Sequence, residues 1–239
     1  MPERLRGKQI VLAGGSGGLG SASAELLACE GAELIVSYRA DAARAARLGA
    51  VARVIQADLG RAEDRARLLD AAAELYGLVV FSGGPARVSD PGQLEEQMRR
   101  SYEVNYAGPV LLAREAAARM QARGTAGAIV LLGTMQASAV FAGSTAYAGG
   151  KAALVAAARV LAKECRGANI RVNVISPGVT AAGMAEASIA AGKYERYLRE
   201  GFVTRYGAGD DVARAVRFFL EPDNYITGQV LTVDGGLTL

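Results

Sequence analysis

Apolar residues fall along this chain in two patterns that alternate from end to end. Short continuous runs occupy residues 9–13, 34–38, 51–57, 78–82, 128–133, 171–175 and 230–233. Continuous rather than alternating hydrophobicity predicts strands buried on both faces, as in a parallel sheet. Between the runs, apolar residues recur at helical spacing. Leu19, Ala22, Leu26 and Leu27 do so after the first run, and Val212, Ala213, Val216, Phe219 and Leu220 near the end. Gly31 is placed to close the first helix, and Asp210 or Asp211 to cap the last. Strict alternation of strand and helix predicts an α/β fold: a single Rossmann-like, doubly wound parallel β-sheet flanked by helices on both faces. No linker, repeat or low-complexity stretch interrupts the order, so residues 1–239 read as one domain. Only residues 179–209 break the rhythm, with five glycines around a polar helix-like stretch. An excursion of that kind after a strand's C-terminal end predicts a substrate-binding lid; an ordinary surface excursion is the plainer alternative.

Composition narrows the chemistry. The apolar runs are far shorter than the roughly 20 residues a membrane span needs. The N-terminal residues lead into the first strand without the apolar core of a signal peptide, so the cytoplasm is the expected location. Lys plus Arg number 27 against 24 Asp plus Glu, and this small excess is scattered, which gives no nucleic-acid footprint. Cys29 and Cys165 stand far apart, without metal-ligand spacing, and read as small buried hydrophobes or reduced thiols. Histidine is absent. Ser-His-Asp triads, Cys-His pairs and His-metal sites are thereby excluded together. Acid/base chemistry is left to Tyr, Lys, a carboxylate or Cys.

Residues 13–20, Ala-Gly-Gly-Ser-Gly-Gly-Leu-Gly, join the first strand to the first helix. Glycines permit the tight turn and let backbone approach a pyrophosphate, whose charge then lies at a helix N-terminus. Gly14, Ser16, Gly18, Leu19 and Gly20 are the candidate cradle for a dinucleotide. The second strand ends Val36-Ser37-Tyr38-Arg39, with no carboxylate before Asp41 to take the ribose hydroxyls of NAD. Arg39 can pair with a 2′-phosphate while Ser37 donates a hydrogen bond, which favours NADP(H) over NAD(H). The alternative is a surface arginine opening the next helix, and Gly17 stands where a second basic residue would help.

Tyr147 and Lys151 form Tyr-x-x-x-Lys at the start of an alanine-rich helical stretch. Residues four apart share a helix face, offset by about 6 Å. A free tyrosine titrates near pH 10, and an adjacent ammonium favours its phenolate, bringing it toward the working range. Such a pair can protonate a carbonyl oxygen as hydride arrives, or take the hydroxyl proton in reverse.

Together these motifs resemble the short-chain dehydrogenase/reductase family in its roughly 250-residue form, over nearly the whole chain. The resemblance implies a hydroxyl residue thirteen positions before the tyrosine, and Thr134 stands there in place of the usual serine. It implies a fourth catalytic residue, Asn105, that orients a water relaying protons to Lys151. It implies that Asp58, with Leu59 beside it, contacts adenine, and that Gly84 belongs to the cofactor site. Pro177, Gly178 and Thr180 match a Pro-Gly turn whose following hydroxyl contacts the nicotinamide amide or phosphate. Residues 226–236 are similar to the family's C-terminal strand. Three departures stand out. The family's Asn-Asn-Ala-Gly is Phe81-Ser82-Gly83-Gly84, which removes two asparagines that brace the sheet; the threonine opening the glycine loop is Ala13; and residue 134 is threonine.

The function implied is an NADPH-dependent carbonyl reductase, or alcohol dehydrogenase in reverse, with Tyr147 as general acid/base. The overall pattern is similar to 3-oxoacyl-thioester reductases. The competing class is a non-catalytic NADP-binding sensor or scaffold; a dehydratase or epimerase would usually need a larger substrate domain. In residues 180–205, Met184, Ile189, Tyr194, Tyr197, Leu198 and Phe202 would line a substrate pocket if they face inward. Lys193, Arg196, Arg199 and Arg205 would then meet an acidic substrate or phosphopantetheine; a solvated amphipathic helix is the alternative. The resemblance also implies a homotetramer or homodimer built on helices 101–122 and 147–163.

Overall fold

The structure, a computed structural model, describes residues 4–86 and 90–239. Seven strands, β1 Gln9–Ala13, β2 Glu33–Tyr38, β3 Ala52–Gln56, β4 Leu75–Val80, β5 Gly127–Leu132, β6 Ile170–Pro177 and β7 Val230–Val233, form one sheet in the order β3-β2-β1-β4-β5-β6-β7. Every pairing is parallel. The chain winds outward from β1 through β2 to β3, then returns to β4 on the other side of β1. That reversal opens a crevice at the strands' C-terminal ends, between β1 and β4. Seven strands were expected and seven form, with one shift: the fourth begins three residues early, at Leu75, and stops at Val80, short of Ser82.

The helices are α1 Gly18–Cys29, α2 Ala42–Ala46, α3 Ala62–Asp70, α4 Leu94–Tyr102, α5 Gly108–Ala122, α6 Thr145–Cys165, α7 Glu186–Ala190, α8 Glu195–Arg199 and α9 Gly209–Leu220. Alternate residues of each strand serve opposite layers. Ile10 and Leu12 pack with Leu27 of α1 and with Val216 and Phe219 of α9. Val11 and Ala13 pack with Leu112 of α5 and Leu154 of α6 on the other face. The central strands β4, β5 and β6 are buried throughout; β4 and β5 are apolar almost without a break, while β6 buries Arg171, Asn173 and Ser176 as well. The edge strands β3 and β7 are half-exposed.

All five apolar residues expected of the last helix are buried in α9. The first helix is rotated from expectation. Its buried face is Gly20, Ser23, Ala24 and Leu27, while Ala22 and Leu26 are only partly covered. Small residues face inward because the turn before the helix lies against it: a Cβ on Gly20 would stand 2.4 Å from Gly15 Cα. Cys165 is buried as expected, but Cys29, at the end of α1, is exposed. Asp211 caps α9 from its third position rather than as the N-cap, accepting the Ala208 amide at 2.8 Å. The Arg205 guanidinium holds this carboxyl well below the usual carboxylate range. At the other end of α9, buried Arg171 donates to Phe219 O at 2.7 Å and Glu221 O at 2.9 Å, placing a cation on the helix's negative pole. Among the described residues no helix is long and apolar enough to cross a membrane.

Because its neighbours at Gly20 are backbone atoms that cannot swing aside, Gly20→Ala is expected to lower stability by about 2 kcal/mol, the range of core overpacking. Urea denaturation checks this; an unchanged midpoint would mean that α1 lifts from the turn without cost.

Candidate active site

The crevice at the reversal is a cavity of about 1040 Å³, adjoined by a smaller one of about 410 Å³ that shares Arg39, Gly83, Arg100 and Met184 with it. Of the residues singled out from the sequence as catalytic or cofactor-binding, Gly84 and Asn105 line the smaller cavity and all the others line the larger. Residues as far apart in the chain as Gly14 and Thr180 therefore meet in one place, because a parallel sheet delivers every strand's C-terminal end to the same edge.

The glycine turn is shaped by missing side chains. Gly14 has φ +71, and a Cβ on it would stand 2.6 Å from Ser82 Oγ. The Gly14 amide donates to Ser37 Oγ at 3.0 Å, so Ser37, buried at the end of β2, braces this turn through its oxygen and keeps its hydrogen for another partner. Gly17 is the N-cap of α1 with no side-chain cap, and no acidic residue occupies the helix's first turn. This cradle, with a positive helix pole and no competing carboxylate, fits the pyrophosphate of a dinucleotide. The segment after β6 closes over it: a Cβ on Gly18 would stand 2.5 Å from Gly183 N.

Arg39 is exposed at the rim, and no ion pair engages its guanidinium among the described residues. Asp41, two residues on, caps α2 and pairs with Arg44. Arg100 of α4 lines both cavities beside Arg39 and brings a second cation from across the crevice, although Glu103 lines the larger cavity as well. Sequence reasoning did not find Arg100, since nothing local marks which of the paired Arg99 and Arg100 turns inward; Arg99 is held by Glu95 and Glu96. Asp58 turns its Oδ1 to the Gly60 amide at 2.9 Å, closing the loop after β3.

Lys151, one turn after Tyr147 in α6, is 2 % exposed, and its Nζ donates to Leu132 O, the last carbonyl of β5, at 2.6 Å. Burial lowers its pKa from 10.5 to about 8. Tyr147 is half-buried in the larger cavity. Thr134 follows β5 through Gly133, whose lack of a Cβ lets β6 approach: that atom would stand 2.8 Å from Ser176 Oγ. Thr134 Oγ1 accepts the Gln136 amide at 3.3 Å, which leaves its proton available to the cavity.

Asn105 lies in a π-helical turn, Glu103–Ala107, between α4 and α5. Single π turns inside helices recur at functional sites. Its side chain grips Gly84 from both ends, Oδ1 accepting the Gly84 amide and Nδ2 donating to the Gly84 carbonyl, each at 3.0 Å. Departures at residues 81–84 are thus compensated locally. Asn105 holds Gly84, Ser82 fills the space against Gly14, and the Phe81 amide donates to Ala13 O at 2.8 Å.

The Pro177-Gly178 turn packs on the C-terminal strand; a Cβ on Gly178 would stand 2.5 Å from Asp234 Cβ. Thr180 is buried and directs its hydroxyl at Gly178 O, 3.3 Å away. From residue 180 the chain departs and returns at Gly207, where the two residues form a parallel bridge. Within this excursion Met184 and Ser188 reach the cavity, but Ile189, Tyr194, Tyr197, Leu198 and Phe202 do not line it. Tyr197 instead packs between Tyr194 and Phe202. Three of the basic residues are paired: Arg196 and Arg199 with the same Glu200, and Arg205 with Asp211, which also holds Arg214.

Comparison with known proteins bears on this site. A family model described as Enoyl-(Acyl carrier protein) reductase matches residues 13–238. An uncharacterized oxidoreductase of Methylorubrum extorquens is 35% identical over 98% of this chain and 99% of its own. The 3-oxoacyl-[acyl-carrier-protein] reductase of Homo sapiens is 32% identical over 97% of this chain and 98% of its own. A solved structure of a short chain dehydrogenase/reductase family protein superposes with a TM-score of 0.87 at 34% identity, covering 98% of each chain.

The lowered value of Lys151 has a measurable consequence for stability. Folded Lys151 gives up its proton near pH 8, whereas the unfolded chain keeps it to about 10.4. Between those values the unfolded state binds more protons, so this group's contribution to stability rises with pH, by at most on the order of 3 kcal/mol. Lys151→Met is therefore expected to be the more stable protein at pH 7 without cofactor, with its advantage shrinking above about pH 8. Thermal melts across that range check it; a pH-independent difference would remove burial as the cause.

Proposed function

The chain belongs to the short-chain dehydrogenase/reductase family, an oxidoreductase family whose members bind a nicotinamide cofactor, and on that premise we propose that it is an NADPH-dependent carbonyl reductase. The observation that carries the proposal is the buried Lys151 ammonium one helical turn from Tyr147, at the wall of a cavity that also holds the glycine turn. In this reading the cofactor, when bound, supplies hydride to the substrate carbonyl carbon. Tyr147 gives its phenolic proton to the carbonyl oxygen, and the adjacent ammonium stabilises the phenolate left behind. Thr134 steadies the same oxygen through its hydroxyl. Asn105 belongs to the path by which the proton on Tyr147 and Lys151 is replaced. In the reverse direction the same groups accept the alcohol proton.

The substrate proposed is a ketone such as a 3-oxoacyl thioester. Its support is the likeness to the human 3-oxoacyl-[acyl-carrier-protein] reductase. Arg196 and Arg199 share Glu200, and Arg205 and Arg214 share Asp211, so the excursion keeps part of its positive charge for an acidic carrier. Residues 179–209 serve as the lid, supported by the placement of Met184 and Ser188 at the cavity and by the closed neck at residues 180 and 207. Preference for NADPH is supported by Arg39, which no ion pair engages among the described residues, and by the lack of a carboxylate in the sequence at the end of β2. A homodimer or homotetramer through α5 and α6 is supported by exposed Leu111 and Val160 on those helices.

Tyr147→Phe is expected to remove most turnover while leaving NADPH affinity within about twofold, since the ring stays and the proton donor goes. NADPH oxidation over a panel of ketones and 3-oxoacyl thioesters, with fluorescence titration of the cofactor, measures both. Full activity in this variant would end the assignment of Tyr147. Arg39→Asp is expected to weaken NADPH at least tenfold and NADH little, by loss of a charge-assisted hydrogen bond worth about 1.5–3 kcal/mol. Equal losses on the two cofactors would remove the 2′-phosphate role.

A further inference from the structure

Ser101 stands in the last turn of α4, four residues before Asn105, and is 2 % exposed. A serine inside a helix usually faces water or bonds back to the carbonyl one turn earlier. Ser101 does neither. Its hydroxyl donates across to Ala146 O at 2.7 Å, the carbonyl just before Tyr147, and its oxygen accepts Asn105 Nδ2 at 3.0 Å. Room for this contact comes from Gly150, where a Cβ would stand 3.2 Å from Ser101 Oγ and 3.3 Å from Asn105 Cβ. One oxygen atom thus joins the π-helical turn to the first turn of the helix that carries Tyr147 and Lys151.

The direction of these bonds matters. A hydroxyl has one proton, and Ser101 commits it to Ala146, so toward Asn105 it can only accept. The amide must therefore present its nitrogen to Ser101, and both nitrogen protons are then taken, one by Ser101 and one by the Gly84 carbonyl. Oδ1 keeps a lone pair beyond the one that accepts the Gly84 amide. The place where a Cβ of Gly83 would stand is 3.0 Å from that oxygen and 3.3 Å from Lys151 Nζ. Amide oxygen and ammonium therefore border the same small space, opposite in polarity. A reversed amide would turn its protons on the ammonium instead.

We propose that Ser101 is a positioning residue for proton transfer, its hydroxyl acting with Gly84 to hold the Asn105 amide oxygen toward Lys151 and tying that amide to the helix of Tyr147. The inference rests on the reading of Tyr147, Lys151 and Asn105 as the proton-transferring groups. It also predicts that Ser101 matters only through Asn105.

A double-mutant cycle on the full chain tests this, with Ser101→Ala, Asn105→Ala and the double variant assayed for kcat, KM, NADPH affinity and the solvent deuterium isotope effect on kcat. Ser101→Ala is expected to lower kcat about tenfold, with KM and NADPH affinity within about twofold and a larger solvent isotope effect, and the double variant to be no slower than Asn105→Ala alone. Gly150→Ala, which keeps the hydroxyl but crowds it, is expected to lower kcat in the same non-additive way. It serves as the probe if Ser101→Ala does not fold. Wild-type turnover in Ser101→Ala, or losses that multiply in the double variant, would overturn the positioning role while leaving the reductase reading intact. Wild-type turnover in Asn105→Ala would instead overturn the reading on which it rests.

Discussion

An ammonium withdrawn from water is the constraint around which this site is organised. Burying a lone cation costs several kcal/mol even after the protein relaxes. Lys151 offsets part of that cost with the carbonyl of Leu132, the last residue of β5, and the rest shows as its lowered pKa. Strand end and helix side chain thus satisfy each other. The bond sets how α6 lies against β5, and so where Tyr147 stands relative to Thr134. It also leaves the ammonium bordered by Gly83 and Asn105, so the loop after β4 and the turn after α4 must accommodate a charge.

The remaining geometry follows from how closely backbone can approach backbone. At Gly14, Gly18, Gly20, Gly133 and Gly178 a Cβ would fall within 3 Å of neighbouring atoms. These positions lie along the C-terminal edge of the sheet, where β1, β5 and β6 hand over to loops. Bare backbone there lets three segments far apart in sequence converge on one crevice, where the uncapped first turn of α1 offers its amides to a phosphate. The sheet contributes the convergence and the glycines contribute the closeness.

Much of this was legible in the sequence, and the exceptions have physical causes. Burial on both faces made β5 plain and placed β4 to within three residues, while Arg53 and Gln56 in β3 already mark an edge. The stripe on α9 was readable because large residues form its buried face. The buried face of α1 was not, because Gly20, Ser23 and Ala24 carry little hydrophobic signal and Leu26 is turned partly outward. The residues at motif spacing, Thr134, Tyr147 and Lys151, do reach one cavity, with Asn105 in the adjoining one. Ser101 and Arg100 carry no such spacing, and what marks them out lies in other elements: Ala146 and Asn105 for the first, the facing cavity wall for the second. The aromatic residues of the excursion misled for the converse reason: Tyr194, Tyr197 and Phe202 are close enough in sequence to cover one another and need no cavity.

The neck at Thr180 and Gly207 has a consequence of another kind. Ala181 N donates to Gly207 O at 2.7 Å and Gly207 N to Val179 O at 2.9 Å, so the excursion leaves and rejoins the body at a stitched pair of residues. Chain closure between fixed ends becomes only slowly more costly as a segment lengthens. What lies beyond the stitch is therefore an interchangeable cassette. Evolution, or a protein engineer, can lengthen, shorten or rewrite it while the sheet below keeps its fold.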